Sequence, residues 1–131
     1  MNNKEFKQMV KQHKVKQTFC IPTVDLSRND FHLNRIYIDT ETPSKLYSVQ
    51  WEIDYIKKDV IKTVTPITEA QYELYMLRYK SIANDLIRNV NKHADIVARV
   101  MHCINECPMY QKKFWQLTLD TVTFIINDRR I

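Results

Sequence analysis

The amino-acid sequence predicts an α+β domain. Its elements are a short basic N-terminal helix, an antiparallel meander of three or four strands, a long amphipathic helix and a C-terminal helix. Three observations carry this. Tyr47, Val49, Trp51 and Ile53 alternate with Ser48, Gln50, Glu52 and Asp54, the period of a strand with one buried face. From Tyr72 to Ile104 the apolar side chains hold a helical period within an arc of about 140°. The third is an absence: the 131 residues contain no glycine, where average usage would place about nine.

That absence excludes the loops that need a backbone without Cβ. Walker, dinucleotide-binding and nucleophile-elbow turns all fall away. A hydrophobic share of 44% and a charged share of 27% suit one soluble domain spanning residues 1–131. No apolar run is long enough to cross a membrane, and no apolar stretch follows the charged start, so neither a membrane partner nor a signal peptide is expected. Three cysteines, Cys20, Cys103 and Cys107, make no even disulfide framework and point to a reducing cytoplasm. Abundant lysine, isoleucine and asparagine resemble the product of AT-rich coding, as in a phage or other mobile element. The cytoplasm would then be a host's.

Residues 1–16 hold five lysines and one glutamate, whereas 17–67 hold six basic and seven acidic side chains. Residues 68–131 hold nine basic and seven acidic. The basicity is therefore concentrated in the first segment, where a partner would feel it most. As a helix, that segment puts Lys4, Lys7, Lys11 and Lys14 on one arc of about 80° and Phe6, Met9, Val10 and His13 on the opposite one. A helix this short is marginal alone, so Phe6 and Val10 must dock. The lysine row is then either a solvated face or a contact for a polyanion.

Residues 17–65 form the sheet. Gln17–Pro22 suits an edge strand, because Pro22 cannot donate to a neighbour. Asp25–Leu33 reads as a loop. Arg35–Thr40, the strand through Trp51 and Val60–Thr65 follow, joined by turns at 41–44 and 57–59. With glycine missing, asparagine and aspartate are expected wherever a bend needs a left-handed residue. Asp39 and Glu41 are expected to join Glu52 and Asp54 on one acidic outer face, where a magnesium ion is the minor alternative to plain solvation.

Thr68 and Gln71 have capping-box spacing, with Ile67 and Tyr72 placed as a hydrophobic staple. The apolar phase then runs on through Asn89-Val90-Asn91 without a slip, so 68–107 reads as one helix ended by Pro108. Such a rod spans roughly 60 Å, against a diameter of about 36 Å for a compact chain of this length. Its stripe of Tyr75, Tyr79, Ile82, Leu86, Val90, Val97 and Met101 would need cover, and a homodimer or a protein partner is expected there. A break near Asn89 would instead allow a monomeric hairpin. Residues 109–127 carry both helical spacing and a β-branched run at 121–126; their length favours a helix packed back on the long one.

No set of residues announces catalysis. His13, His32, His93 and His102 lie in no motif. Cys103 and Cys107 are one helical turn apart, but His102 points about 100° away from Cys103 and no CxxC knuckle is present, so buried thiols are expected rather than zinc. Tyr72, Tyr75 and Tyr79 suit core packing better than base stacking. The order helix, three strands, helix is similar to that of double-stranded-RNA-binding domains. Their glycine loop and lysine cluster are missing, however, with Thr68-Glu69-Ala70-Gln71 in that place, so the sequence points to no family.

The function expected is therefore binding, without cofactor or metal. The leading reading is an accessory protein, phage- or virus-encoded, that occludes part of a host nucleic-acid-processing complex. The alternative is direct binding of DNA or RNA by Lys4, Lys7, Lys11 and Lys14, with Lys112, Lys113, Arg129 and Arg130 as a second patch. A metal-dependent enzyme or zinc protein comes third.

Overall fold

The computed structural model describes residues 2–25 and 30–128. Helix α1 (Asn3–Lys11) leads into four strands, β1 (Val15–Asp25), β2 (Asp30–Asp39), β3 (Leu46–Asp54) and β4 (Asp59–Ile67). Helices α2 (Glu69–Arg88) and α3 (Val90–Glu106), a 3-10 turn at Met109–Gln111 and α4 (Lys112–Asn127) complete the chain. The α+β class and the antiparallel meander agree with the sequence, with four strands in the order β1-β2-β3-β4. The strands run longer than predicted. Part of the expected loop, Asp30–Leu33, opens β2, while residues 26–29 fall outside the described set.

A β-bulge in β1 decides how the sheet packs. Val15 and Gln17 share a face with Tyr37, but the register shifts between Gln17 and Phe19. Thr18, the extra residue, donates its hydroxyl to the Ile36 carbonyl at 3.0 Å. Because side chains alternate with period two, one inserted residue moves everything after it to the other face. Val15 thus enters a core with Phe6, Tyr37, Tyr47, Val49 and Trp51, while Phe19 and Ile21 enter another with Ile36, Tyr79, Ala83 and Leu86.

The sheet is consequently a middle layer. The first face carries α1, the end of α3 and the start of α4; the second carries α2 and the end of α4. This corrects the single buried face predicted for β3. Leu46 and Ser48 are buried along with Tyr47 and Val49, and alternation reappears only at Trp51–Ile53, where Glu52 is exposed.

The long rod is broken. Asn89 ends α2 with φ −115° and ψ 89°, its N–H bonded to the Asp85 carbonyl. Its own carbonyl accepts from His93, opening α3. Asparagine is a poor interior residue and a good cap, which allows the break here. Each half then finds its own surface: α2 lies against β1, and α3 packs on α4. The stripe proposed for an oligomer is largely spent inside the chain. Tyr79 and Leu86 are 3% and 4% exposed, Tyr75, Ile82 and Val97 are half-buried, and Met101 is exposed; the Val90 side chain lies outside the described set. The stripe therefore gives no reason for a dimer.

The capping box at Thr68 and Gln71 is present in both directions. Helix α4 holds despite its β-branched content because it buries Phe114, Trp115, Val122 and Ile125; Thr118, Thr121 and Thr123 each donate a hydroxyl to the carbonyl four residues back, at 2.8 to 3.0 Å. Its C-terminal end is tied to α2 by a hydrogen bond from the Tyr79 hydroxyl to the Asp128 carboxylate.

Among the described residues the left-handed positions are His13 (φ 56°) and Lys58 (φ 52°), not asparagine or aspartate. The aspartates serve these bends differently, by accepting backbone N–H groups. Asp39 accepts from Glu41 and Thr42, and Asp54 from Ile56 and Lys57. His13 follows α1 in a Schellman arrangement, with His13 N–H on the Val10 carbonyl and Lys14 N–H on the Met9 carbonyl. A β-carbon there is strained, so His13→Gly is expected to stabilise the fold by roughly 1 kcal/mol. Chemical denaturation measures this; a loss of stability would contradict the assigned cap.

A candidate polyanion interface on the first face of the sheet

Phe6 sets the position of α1. Its ring is fully buried and meets Tyr37 and Tyr47 edge-on, with centroids 5.0 and 5.7 Å away. The Asn3 side-chain amide donates to the Lys62 carbonyl at 2.9 Å, fixing the helix start over β4. Lys4, Lys7 and Lys11 are left exposed on α1. Lys14 lies past the helix end, its carbonyl held by Thr40 and its side chain near Asp39, toward the end of the sheet away from Lys62.

Beside α1, the register places Lys62 of β4 directly across from Trp51 of β3. The Lys62 ammonium stands 5.5 Å from the Trp51 ring centre and the Arg35 guanidinium carbon 5.3 Å from it. These are cation–π distances, and the indole is buried beneath the two cations. The Arg35 Nε is buried without a hydrogen-bond partner, while the guanidinium lies beside the Tyr37 hydroxyl. Burial raises the pKa of that phenol, and Arg35 opposes the rise.

Lys62 titrates below the usual lysine value of 10.5. Partial burial is the main cause, followed by the positive charges of Lys113, Lys7 and Arg35. The row on α1 and the start of α4, separate in the sequence, therefore act on the same ammonium group. Among the described residues none of Lys7, Arg35, Lys62 and Lys113 has an ion pair. Lys112 and Lys113 are exposed on the first turn of α4, and Arg129 and Arg130 lie outside the described residues.

Arg35 and Lys62 were not legible as site residues. Their convergence on Trp51 depends on strand register, and that is fixed by a four-residue β3–β4 connection closed by Asp54 opposite Asp59. Strand parity without that register does not say whether the two share a face; the acidic turn chemistry at Asp54 is the available signal.

The expected acidic outer face does not assemble. Glu52 and Asp54 share one face, but Asp39 has the parity of Tyr37 on the other. Asp39 and Glu52 also stand about six residues of strand apart, roughly 20 Å. Asp39 is held below the usual carboxylate value by the N–H groups of Thr42 and Glu41. Cys20 is buried on β1; Cys103 and Cys107 are half-buried against the first core, and burial raises the Cys103 thiol. Among the described residues no three His, Cys, Asp or Glu side chains are grouped to hold a metal ion. The histidines are scattered: His13 and His102 are exposed, His32 and His93 half-buried. No helix among the described residues is long and apolar enough to cross a membrane.

A separate pocket of about 330 Å³ opens between α2, α3 and α4. Ile82, Leu86, Ile96 and Val100 supply much of its apolar wall, with Asp85 and the Asp95–Arg99 pair (3.2 Å) among its polar groups. It does not reach the cluster around Trp51.

No protein-family model, curated protein or solved structure matches the chain.

The shared field at Lys62 is open to measurement. Below its depressed folded-state pKa, charged Lys62 disfavours the fold; that penalty is relieved as pH rises through the folded value toward the unfolded one. NMR titration of the Lys62 ammonium is expected to give a value below 10.5 that climbs in Lys7→Gln and in Lys113→Gln. An unchanged titration in both variants would show that the two elements do not meet there.

Proposed function

We propose that this chain binds nucleic acid through the sugar–phosphate backbone, without catalysing a reaction. The observation that carries the reading is the convergence of Lys7, Arg35, Lys62 and Lys113 from four elements, with no ion pair to offset them. Holding like charges together costs folding energy, and a polyanion turns that cost into binding energy. The exposed Lys4, Lys11 and Lys112 extend the positive surface to either side. The setting is a reducing cytoplasm, that of a host if the chain is phage- or virus-encoded.

A protein partner within a nucleic-acid-processing complex is the second reading. It draws support from α2, where Leu74 and Leu77 are 63% and 64% exposed on its outer side. An occluding modulator would use that surface. A dimer through the Tyr75–Met101 stripe lacks comparable support, since Tyr79 and Leu86 are committed to the core.

Salt dependence separates the two. Backbone binding through four to six cations predicts a loss of roughly a hundredfold or more in affinity between about 50 and 200 mM salt. Replacing Lys4, Lys7 and Lys11 by Gln, or Lys112 and Lys113 by Gln, should lower the affinity and flatten the slope by about 0.7 to 0.9 for each contact removed. Fluorescence anisotropy with random-sequence DNA and RNA measures both. Absence of binding at low salt would end the nucleic-acid reading and leave the Leu74–Leu77 surface as the site to pursue.

A further inference from the structure

Lys62 and Arg35 differ from the rest of the positive surface in standing over one buried indole, with Lys7 and Lys113 close enough to act on the Lys62 ammonium. Lys62 faces Trp51 across the strand pair, and Arg35 stands over the same indole. Lys7 lies one helical turn past Asn3, whose side-chain amide donates to the Lys62 carbonyl, and Lys113 follows the 3-10 turn that packs on β4. The Arg35 Nε is a donor whose hydrogen-bonding capacity the chain leaves unfilled.

A phosphodiester can occupy such a cluster but uses only part of it. It carries one negative charge, and its two esterified oxygens must lead the strand away on both sides. A terminal phosphate carries about −1.5 to −2 charges at neutral pH and has three free oxygens. Donors converging from several elements can surround the second group more fully than the first. The strand then has one direction in which to leave, and an exposed lysine one turn along α1 from Lys7, Lys4 on one side or Lys11 on the other, is placed to receive its first diester.

We propose that Lys7, Arg35, Lys62 and Lys113 form a site for the terminal phosphate of a nucleic-acid strand. The proposal rests on the nucleic-acid reading above and narrows it from backbone binding to recognition of a strand end. Free phosphate and phosphorylated lipid headgroups share the same chemistry, and the α1 lysines are what favour a strand over either.

The test uses the full chain and short single strands of one sequence with a 5′-phosphate, a 3′-phosphate or only hydroxyl ends. One phosphorylated form is expected to bind about tenfold more tightly than the hydroxyl form, as one further charge-assisted contact would give. That preference should shrink as pH falls through about 6, where the terminal phosphate dianion takes up a proton and becomes a monoanion. Lys113→Gln and Lys7→Gln, both at exposed positions, should abolish the preference, while hydroxyl-ended strands weaken only by the one backbone contact each substitution removes. Equal affinity for all three strands would overturn the proposal and leave backbone binding intact; failure of every strand to bind would overturn both. Inorganic phosphate, or vesicles bearing a phosphomonoester headgroup, competing equally at matched phosphate concentration would overturn the assignment to a strand end.

Discussion

One inserted residue in the edge strand governs how this fold is assembled. Without the bulge at Thr18, the odd-numbered residues Val15, Gln17, Phe19 and Ile21 would line a single face, and the other would lack an apolar edge. With it, the strand serves two cores, and helices must cover both faces of the sheet. Two layers of cover require separate helices in place of one rod, which is the tertiary reason for the turn at Asn89. The same arrangement brings α1 and the start of α4 onto one face, flanking β4. The positive cluster is a consequence of that placement.

Electrostatics and packing oppose each other at this cluster. The aromatic contacts of Phe6 with Tyr37 and Tyr47 hold α1 in place, and the cation–π contacts with Trp51 hold Arg35 and Lys62. Against these stand the mutual repulsion of four cations and the partial desolvation of Lys62. A sequence shaped by stability alone would place a carboxylate among them, since a surface pair brings up to about 1 kcal/mol and relieves the repulsion. Local rules broken at one place, inside an otherwise consistent fold, are a common mark of a binding site. Apart from the left-handed His13 and Lys58, the rest of the chain is consistent: Asn2 and Thr68 cap α1 and α2, and the turn aspartates accept N–H groups.

Much of the architecture was legible because it depends on short-range pattern. Alternation through Trp51 revealed β3, the Thr68–Gln71 spacing revealed the start of α2, and lysine periodicity revealed α1. What escaped depends on long-range pairing or on phase-neutral features. The break at Asn89 preserves the apolar phase, so periodicity alone cannot see it. The bulge is a register event, invisible until β2 is paired with β1. His13 and Lys58 carry left-handed backbone because glycine is missing, and the helix end and hairpin around them enforce a conformation their side chains disfavour. Of the site, the lysines on α1 and at 112–113 were readable from charge placement. Arg35 and Lys62 sit within strands of mixed pattern and acquire meaning only once the register sets them against Trp51.

The account stands or falls on where a nucleic acid touches the protein. Mapping amide, indole and lysine side-chain NMR shifts during titration with a short single strand addresses this directly. The account predicts that the largest changes fall on the Trp51 indole, Lys62, Arg35, Lys7 and the first turn of α4, with α2 unaffected. Changes concentrated on Leu74 and Leu77, or on the pocket between the C-terminal helices, with the Trp51 indole silent, would contradict it.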